Sequence, residues 1–492
     1  MASDTISSEL KALENLDFNT TIHKLKFKLN PNDKGLDKDI FHKLNENRPW
    51  MDRGLVCQAP FKSLRFEQNG SMRVCCFNSA VSLGTYPETS VQDAWFGKEA
   101  DEIRTFISNN DFSLGCQLCG EQFNNGEIDT IKTRQFDGLP INPEKLPTVL
   151  DFSLNNLCNL ECTMCTGQFS SLIRANREGL PPIKMQFDSE FVDQLEPFIE
   201  AAKQFIFAGG EPFLIPIYYD ILDRIAEQKP NTEIHIVTNG TVLNNRVREL
   251  LDKLRFNITI SIDSFDKDTY ESIRKNASFK HTMNNLIEFE KYCQQQNTQF
   301  NFNVCPIKQN WREIPTMLKS CNELGRKMTL LTVVYPPTAS LMSCSVEELS
   351  EINAFFTRAV FNSPDDDSIS TYNLAQFEDL KRKVANWLQK SADKTGTRKD
   401  SVNQDKTVDV AIYLRQAEQK LKFFFEDNPE LDTKELDSAL DNLKYLEQQF
   451  IERKIKPSKL MELQASDPGQ IFGGFRMTDR ARLASTFRDH VL

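Results

Sequence analysis

The chain has 492 residues, of which 39% are hydrophobic and 26% are charged, and its formal net charge is −11. This composition is typical of globular proteins, and the length is too great for one ordinary core, so we expect two or three domains. The acidic balance argues against nonspecific binding of polyanions, and we expect no nucleic-acid partner. No apolar run approaches the roughly 18–20 residues of a membrane span, and the first residues show no secretory signal. We therefore expect no membrane association and a cytoplasmic location.

Five regions are predicted in chain order. Residues 1–50 form a polar, lysine-rich extension. Residues 51–127 form a small α+β module that contains cysteines and short β-like runs, such as Ser63–Glu67. Residues 128–147 form a linker, residues 148–345 a repeating strand–helix region, and residues 346–492 a mainly helical region.

Six runs rich in β-branched and aromatic residues predict strands at 149–154, 205–208, 233–237, 258–262, 300–305 and 328–335. Amphipathic stretches of helix length separate them, which favours parallel βαβ units. Six units over roughly 190 residues fall short of the ~250 residues of a complete eight-unit barrel. The predicted fold is therefore an open, partial (β/α)6 TIM-like barrel, with the cysteine module before it and a helical region after it.

The 12 cysteines are clustered, and in a chain without an export signal this favours metal ligands over a disulfide framework. Cys158, Cys162 and Cys165 follow the first barrel strand, with three residues between the first pair and two between the second. Three thiolates on one loop can bind three irons of a [4Fe–4S] cube and leave the fourth iron open for chemistry. A zinc site completed by a distant ligand, and plain buried cysteines, are the alternatives.

Short polar motifs follow the later strands, at the end where barrel enzymes place their chemistry. The glycines of a Gly-Gly-Glu-Pro motif would let the backbone approach a ligand, and its glutamate would accept an amine. A serine and an aspartate after the fourth strand suit a ribose diol or an ammonium group. Each motif alone could be an ordinary turn, and an arginine farther on could be a solvated helix charge. The candidates are Gly209, Gly210, Glu211, Thr238, Asn239, Ser261, Asp263 and Arg274.

In this order, after the cysteine triplet, the motifs resemble the radical S-adenosylmethionine superfamily over about residues 149–337. The resemblance implies that Cys158, Cys162 and Cys165 hold a [4Fe–4S] cluster whose open iron chelates S-adenosylmethionine. It further implies an adenine contact from the backbone of Met164, amine contacts from Gly209, Gly210 and Glu211, and ribose and carboxylate contacts from Ser261, Asp263 and Arg274, with Thr238 and Asn239 nearby.

The activity implied by this resemblance is reductive cleavage of S-adenosylmethionine to methionine and a 5′-deoxyadenosyl radical that abstracts a substrate hydrogen. A low-potential electron donor, such as flavodoxin or ferredoxin, is the implied partner. A peptide or protein side chain is the expected substrate, and a sugar, nucleotide or other small molecule is the alternative. A non-catalytic iron–sulfur electron carrier or sensor is the alternative from another class.

The cysteines of the first module resemble the SPASM auxiliary-cluster module in its shortened twitch form, placed here before the barrel. The resemblance implies that Cys57, Cys75, Cys116 and Cys119 hold a second [4Fe–4S] cluster. Cys76 adjoins Cys75 and could replace it as a ligand. A structural zinc ribbon is the alternative, because a paired C-x₂-C with distant cysteines suits zinc equally well.

Overall fold

The computed structural model describes residues 38–46, 48–78, 81–124, 128, 131–361, 368–396, 421 and 433–451. Most of the predicted extension at 1–50, and most of the predicted helical region beyond residue 396, lie outside these described residues. The chain divides into two compact units, one of residues 1–171 with 185–394 and the other of residues 172–184 with 395–492. The boundaries predicted from the sequence stay predictions.

The first unit is built on one sheet of nine strands in the order β3-β2-β1-β4-β5-β6-β7-β8-β9. From β4 to β9 each strand pairs in parallel with the next, and helices separate them along the chain. The prediction of an open, six-unit α/β barrel is therefore confirmed. The strands are β1 (Ser63–Glu67), β2 (Ser71–Arg73), β3 (Gly84–Thr85), β4 (Val149–Ser153), β5 (Gln204–Phe207), β6 (Glu233–Thr238), β7 (Arg255–Ser261), β8 (Phe300–Val304) and β9 (Met328–Leu330).

The helices of the described residues belong to both units. They are α1 (Lys38–Glu46), α2 (Ala59–Lys62), α3 (Val91–Phe96), α4 (Lys98–Ser108), α5 (Gln117–Asn124), α6 (Ser171–Asn176), α7 (Ser189–Gln194), α8 (Glu196–Ala201), α9 (Pro216–Gln228), α10 (Asn245–Lys253), α11 (Lys267–Ile273), α12 (Phe279–Gln296), α13 (Ile314–Glu323), α14 (Val346–Arg358), α15 (Ser368–Gly396) and α16 (Thr433–Ile451). None of these helices is long and apolar enough to cross a membrane.

Alternate strand residues pack against the helices and form the core. Phe152 of β4 stacks near Phe207 of β5 at 5.0 Å between ring centroids, and Phe207 meets Tyr218 of α9 at 5.1 Å. The same alternation leaves most of the other residues of β5 to β8 only partly buried; Asn257 is buried and Glu233 is exposed. Because successive side chains of a strand point to opposite faces, those partly buried residues line the inner face of the barrel.

The cysteine module is continuous with the barrel sheet. Strand β1 pairs in parallel with β4, and in this register Phe66 of β1 lies opposite Phe152 of β4. The two rings stack with 5.3 Å between their centroids. Strands β2 and β3 then extend the sheet antiparallel. The strand predicted at Ser63–Glu67 is confirmed, but its pairing with β4 is a tertiary feature that the sequence pattern did not indicate.

The last strand is shorter than predicted, because β9 ends at Leu330 rather than at residue 335. Its only strand partner in the described sheet, β8, ends at Val304 opposite Leu330, so no ladder is available beyond that point. Helix α15 covers the outer edge. Asn373 Oδ1 accepts from the Met328 N–H at 2.7 Å, and Gln376 Oε1 accepts from the Leu330 N–H at 3.1 Å. Two side-chain amides thus satisfy edge backbone groups that a seventh strand would otherwise pair.

Candidate functional site

The loop between β4 and α6 carries the cysteine triplet and is closed by its own polar groups. The Asn156 side chain donates to Gly167 O at 2.7 Å, and the backbone carbonyl of Asn156 accepts from the Ser171 N–H at 2.8 Å. The Ser170 hydroxyl donates to Leu160 O at 2.6 Å. These bonds fold the loop back on itself, so that Cys158, Cys162 and Cys165 share one small segment at the carboxyl end of β4.

The triplet loop is also attached to the residues that end α11. The Thr163 N–H donates to Ile273 O at 2.8 Å, and the Glu161 N–H donates to Lys275 O at 3.1 Å. Both bonds flank Arg274 in sequence. The loop and Arg274 are therefore held together by backbone hydrogen bonds.

Gly209 and Gly210 contact the backbone of the triplet loop. A Cβ on Gly210 would lie 2.3 Å from Leu157 O, and one on Gly209, whose φ is +114°, would lie 2.8 Å from Asn155 O. The Gly210 N–H donates to Asn155 O at 3.0 Å. Glycine is therefore required at these two positions because the backbone of the triplet loop lies so close. The sequence had suggested instead that the glycines make room for a ligand.

Glu211 is fully buried, and hydrogen-bond donors from two loops surround its carboxylate. Oε1 accepts from the Thr238 hydroxyl at 2.7 Å and from the Phe213 N–H at 3.2 Å, and Oε2 accepts from the Asn239 N–H at 2.8 Å. Burial raises the pKa of Glu211 to about 7, and these donors limit the rise. The carboxylate joins the residues after β5 to those after β6.

The triplet thiols lie in a partly buried environment. Cys162 is buried, whereas Cys158 and Cys165 are half-buried. Burial raises the pKa of Cys158 to about 12, with smaller contributions from Glu211 and Cys162, and the Leu160 N–H and the Asn239 amide oppose it. A bound metal centre would supply the positive charge that thiolates need here.

Asp263 and Arg274 form a buried ion pair beside the triplet. Arg274 Nη2 lies 2.8 Å from Asp263 Oδ2, and the Cys305 N–H donates to Oδ1 at 2.8 Å. Burial raises the pKa of Asp263, and Arg274 opposes the rise. Burial alone would lower the pKa of Arg274, but Asp263 and then Cys162 raise it. The guanidinium therefore stays charged next to the triplet loop.

Met164 and Ser261 also lie at this end of the barrel. Met164 is partly buried against the cluster of Ile273, Ile307, Val333 and Ala339, together with Cys305. Ser261 is the last residue of β7, opposite Asn303 of β8. The structure thus brings every residue predicted for the first site to the same end of the sheet.

The inner face of the barrel is polar and carries balanced charge. On β1 and β4, Arg65 lies 3.0 Å from Glu67 and 2.8 Å from Asp151, and Arg73 of β2 lies 3.3 Å from Glu67. Two cations therefore face two carboxylates. The alternation of β5 to β9 adds one more ion pair to this face, Arg255 Nη2 with Glu233 Oε1 at 3.6 Å. The other residues on the rest of this face are largely uncharged, namely Gln204, Ile206, His235, Val237, Asn257, Thr259, Ser261, Asn301, Asn303 and Thr329.

A second site lies in the cysteine module, where Cys57, Cys75, Cys116 and Cys119 line one pocket. Burial raises the pKa of each of these thiols, and neighbouring thiolates raise it further for Cys57, Cys75 and Cys119. Cys76 is not among the residues that line the pocket. Four thiols that converge in a largely apolar pocket are a donor set that fits an iron–sulfur cluster.

Two polar side chains in this second pocket were not anticipated from the sequence. Asn78 Nδ2 lies 3.3 Å from Cys116 Sγ, and within the described part of the chain the buried hydroxyl of Thr133 has no hydrogen-bond partner. No sequence signal identifies them, because neither residue is part of a recognisable cysteine motif. In the described part of the chain, no group of three His, Cys, Asp or Glu side chains is arranged to hold a single metal ion.

Comparison with known families matches both sites. Residues 152–336 match the Radical SAM superfamily, and residues 57–120 match an iron–sulfur cluster-binding domain, SPASM. A Radical SAM domain implies a [4Fe–4S] cluster and S-adenosylmethionine, and a SPASM domain implies an auxiliary iron–sulfur cluster. The predicted order, with the auxiliary module before the barrel, is confirmed.

Among curated proteins, the chain is 22% identical over 187 residues to a probable GTP 3′,8-cyclase of Methanocaldococcus jannaschii, covering 38% of this chain and 58% of that protein. It is 25% identical over 147 residues to the GTP 3′,8-cyclase of Limosilactobacillus fermentum, covering 29% of this chain and 42% of that protein. The chain thus spans about half the length of the curated relatives it matches.

Among solved structures, anSMEcpe with bound AdoMet is similar with a TM-score of 0.33 and 19% identity, covering 42% of this chain and 57% of that one. Streptococcus suis SuiB bound to precursor peptide SuiA is similar with a TM-score of 0.32 and 14% identity, covering 51% of this chain and 60% of that one.

Proposed function

Since the chain carries a Radical SAM domain and a SPASM iron–sulfur domain, we propose that it is a radical S-adenosylmethionine enzyme with one auxiliary cluster. The observation that carries the proposal is the convergence of Cys158, Cys162 and Cys165 with Glu211 and the Asp263–Arg274 pair at one end of the sheet. When bound, the cluster and S-adenosylmethionine supply reductive cleavage to methionine and a 5′-deoxyadenosyl radical that abstracts a substrate hydrogen.

The residues of this chain would bind and orient those groups. Cys158, Cys162 and Cys165 would ligate the first cluster. Met164, Gly209, Gly210, Glu211, Thr238, Asn239, Ser261, Asp263 and Arg274 would surround S-adenosylmethionine. Glu211 and Asp263 are both fully buried, so we assign them chiefly to holding the loops that contact the cofactor. Cys57, Cys75, Cys116 and Cys119 would ligate the auxiliary cluster, and a low-potential donor such as flavodoxin or ferredoxin would supply electrons.

The charge of the inner face supports a peptide or protein side chain as the substrate. A nucleoside triphosphate needs cations to balance its phosphates, and arginine forks are the usual solution. Here Arg65 and Arg73 are already paired with Glu67 and Asp151. Arg255 is likewise paired with Glu233. The other strand residues named above are uncharged apart from His235, which suits a neutral amide or side chain.

A nucleotide substrate is the second candidate, because the curated relatives named above are GTP 3′,8-cyclases. Their matches cover less than two-fifths of this chain. Incubation with GTP and, separately, with a peptide library would distinguish the two candidates by which one consumes S-adenosylmethionine with formation of a new product.

The activity itself is tested by anaerobic reconstitution, iron and sulfide counts, and a dithionite assay for 5′-deoxyadenosine. We expect about eight irons per chain, four for each cluster, and deoxyadenosine formation that Cys158→Ala abolishes. About four irons with one zinc and full activity would overturn the auxiliary cluster alone. Two loaded clusters without binding or cleavage of S-adenosylmethionine would overturn the enzyme and favour an electron carrier.

A further inference from the structure

Thr133 lines the pocket of the four module cysteines, and its hydroxyl is unpaired. Thr133 lies on the short helix Lys132–Phe136 and is 3% exposed, and its buried Oγ1 has no hydrogen-bond partner among the residues that the structure describes. Buried hydroxyls in native proteins nearly always have a partner, since leaving one unpaired costs free energy. Apart from Asn78, the other side chains that line this pocket are thiols and apolar groups. A group bound in this pocket is therefore the expected hydrogen-bond partner of the Thr133 hydroxyl.

Asn78 presents a second donor to the same pocket and is held in place by three hydrogen bonds. Nδ2 donates to Cys116 Sγ at 3.3 Å and to Leu114 O at 2.9 Å, and Oδ1 accepts from the Val81 N–H at 3.1 Å. The residue is 1% exposed. The side-chain amide of Asn78 is thus held with its N–H directed toward the sulfur of Cys116.

We propose that Thr133 and Asn78 donate hydrogen bonds to sulfur atoms of the auxiliary [4Fe–4S] cluster and thereby set its reduction potential. This inference rests on the proposed function, since it requires an iron–sulfur cluster on the four cysteines. Hydrogen bonds to the sulfurs stabilise the more negative, reduced cluster and so raise its potential. Neither residue is a catalytic residue in this account; both act through the cluster.

The test uses a full-length chain with Cys158→Ala, Cys162→Ala and Cys165→Ala, so that only the auxiliary cluster can load. In this parent, Thr133→Val removes the hydroxyl at nearly constant volume, and Thr133→Ser keeps it. Ser63→Ala is the matched control, because Ser63 Oγ is also buried and unpaired in the module but does not line the pocket. Iron and sulfide are counted, and the midpoint potential is measured by a redox titration followed by electron paramagnetic resonance.

We expect Thr133→Val to load about four irons and to have a lower midpoint potential than the parent, with Thr133→Ser and Ser63→Ala unchanged. If Thr133→Val and Thr133→Ala both lose iron while Thr133→Ser retains it, the hydroxyl is needed to keep the cluster bound. That result would also support the hydrogen bond from Thr133 to the cluster. A fully loaded Thr133→Val with the parent's potential would overturn the inference alone. Zinc in place of iron in the parent would overturn it together with the proposed auxiliary cluster.

Discussion

The carboxylate of Glu211 accepts a hydrogen bond from the backbone N–H of Asn239 at 2.8 Å and so joins two barrel loops that follow β5 and β6. The Thr238 hydroxyl and the Phe213 N–H occupy the other carboxylate oxygen. Glu211 is 0% exposed, and both of its carboxylate oxygens accept hydrogen bonds from the protein itself. The glutamate of the Gly-Gly-Glu-Pro motif is thus first a part of the loop architecture.

Glu211→Gln should destabilise the protein, because one carboxylate oxygen that accepts from an N–H or O–H becomes a donor. The expected loss is about 1–3 kcal/mol in the free energy of unfolding, measured by anaerobic urea denaturation. Glu323→Gln, at an exposed position on α13, is the control and should leave stability unchanged.

The same variant tests the raised pKa of Glu211. With a pKa of about 7 in the folded state against an ordinary 4.5, the folded protein binds this proton more tightly than the unfolded chain. The contribution of this group to stability is therefore present at low pH and is lost as the pH rises through about 7. The difference in the free energy of unfolding between the parent and Glu211→Gln should therefore shrink as the pH rises from about 4.5 to about 7. A difference that stays constant with pH would contradict the raised pKa.

Asp263→Asn should cost about 3–5 kcal/mol, because it leaves the buried guanidinium of Arg274 without its 2.8 Å partner. The double variant with Arg274→Met removes both charges and should recover much of that loss. Denaturant unfolding of the two variants provides the comparison. If the double variant is less stable than Asp263→Asn alone, the ion pair is not the source of the cost.

Gly210→Ala should displace the triplet loop, since the new Cβ would fall 2.3 Å from Leu157 O. We expect the protein to lose about four irons while the auxiliary cluster remains. Gly325→Ala is the control: its Cβ meets nothing within 4 Å, and its φ of +64° should cost only about 1 kcal/mol in stability. Full iron loading in Gly210→Ala would show that the loop tolerates the methyl group.

Cys75→Ala should abolish the auxiliary cluster, whereas Cys76→Ala should retain it, because only Cys75 lines the pocket with the other three thiols. The measurement is an iron count in the chain that lacks the triplet cysteines. We expect about four irons in Cys76→Ala and none in Cys75→Ala. The opposite pattern would assign the ligand to Cys76.

Asn373→Ala should loosen the outer edge of the sheet, because it removes the acceptor of the Met328 N–H and the donor to Arg326 O. The expected cost is about 1–3 kcal/mol, with faster amide hydrogen exchange at Met328. Asn386→Ala on the same helix, at an exposed position, should change neither quantity. Unchanged exchange in Asn373→Ala would mean that the edge is protected by other contacts.

Local patterns carried much of the prediction. The six parallel strands follow from β-branched and aromatic runs separated by amphipathic stretches, and they were placed to within a few residues except at β9. The end of β9 was missed because it depends on where β8 ends, at Val304 opposite Leu330. The triplet and the Cys116–Cys119 pair could be located from spacing, because ligands on one loop or one helical turn are close in sequence. Cys57 and Cys75 are distant in sequence, and their assignment rested on the resemblance to a known module.

By itself, the sequence determined the barrel units, the triplet Cys158, Cys162 and Cys165, and the likeness to two known domains. Only the tertiary structure decided that β1 pairs with β4, that Gly210 meets Leu157 O, and that Cys75 rather than Cys76 lines the module pocket. The physical reason is separation along the chain. The Arg65–Asp151 contact joins residues 86 apart, and Glu211 and Asn239 are 28 apart. Contacts of that kind arise when elements pack, and no local period or spacing encodes them.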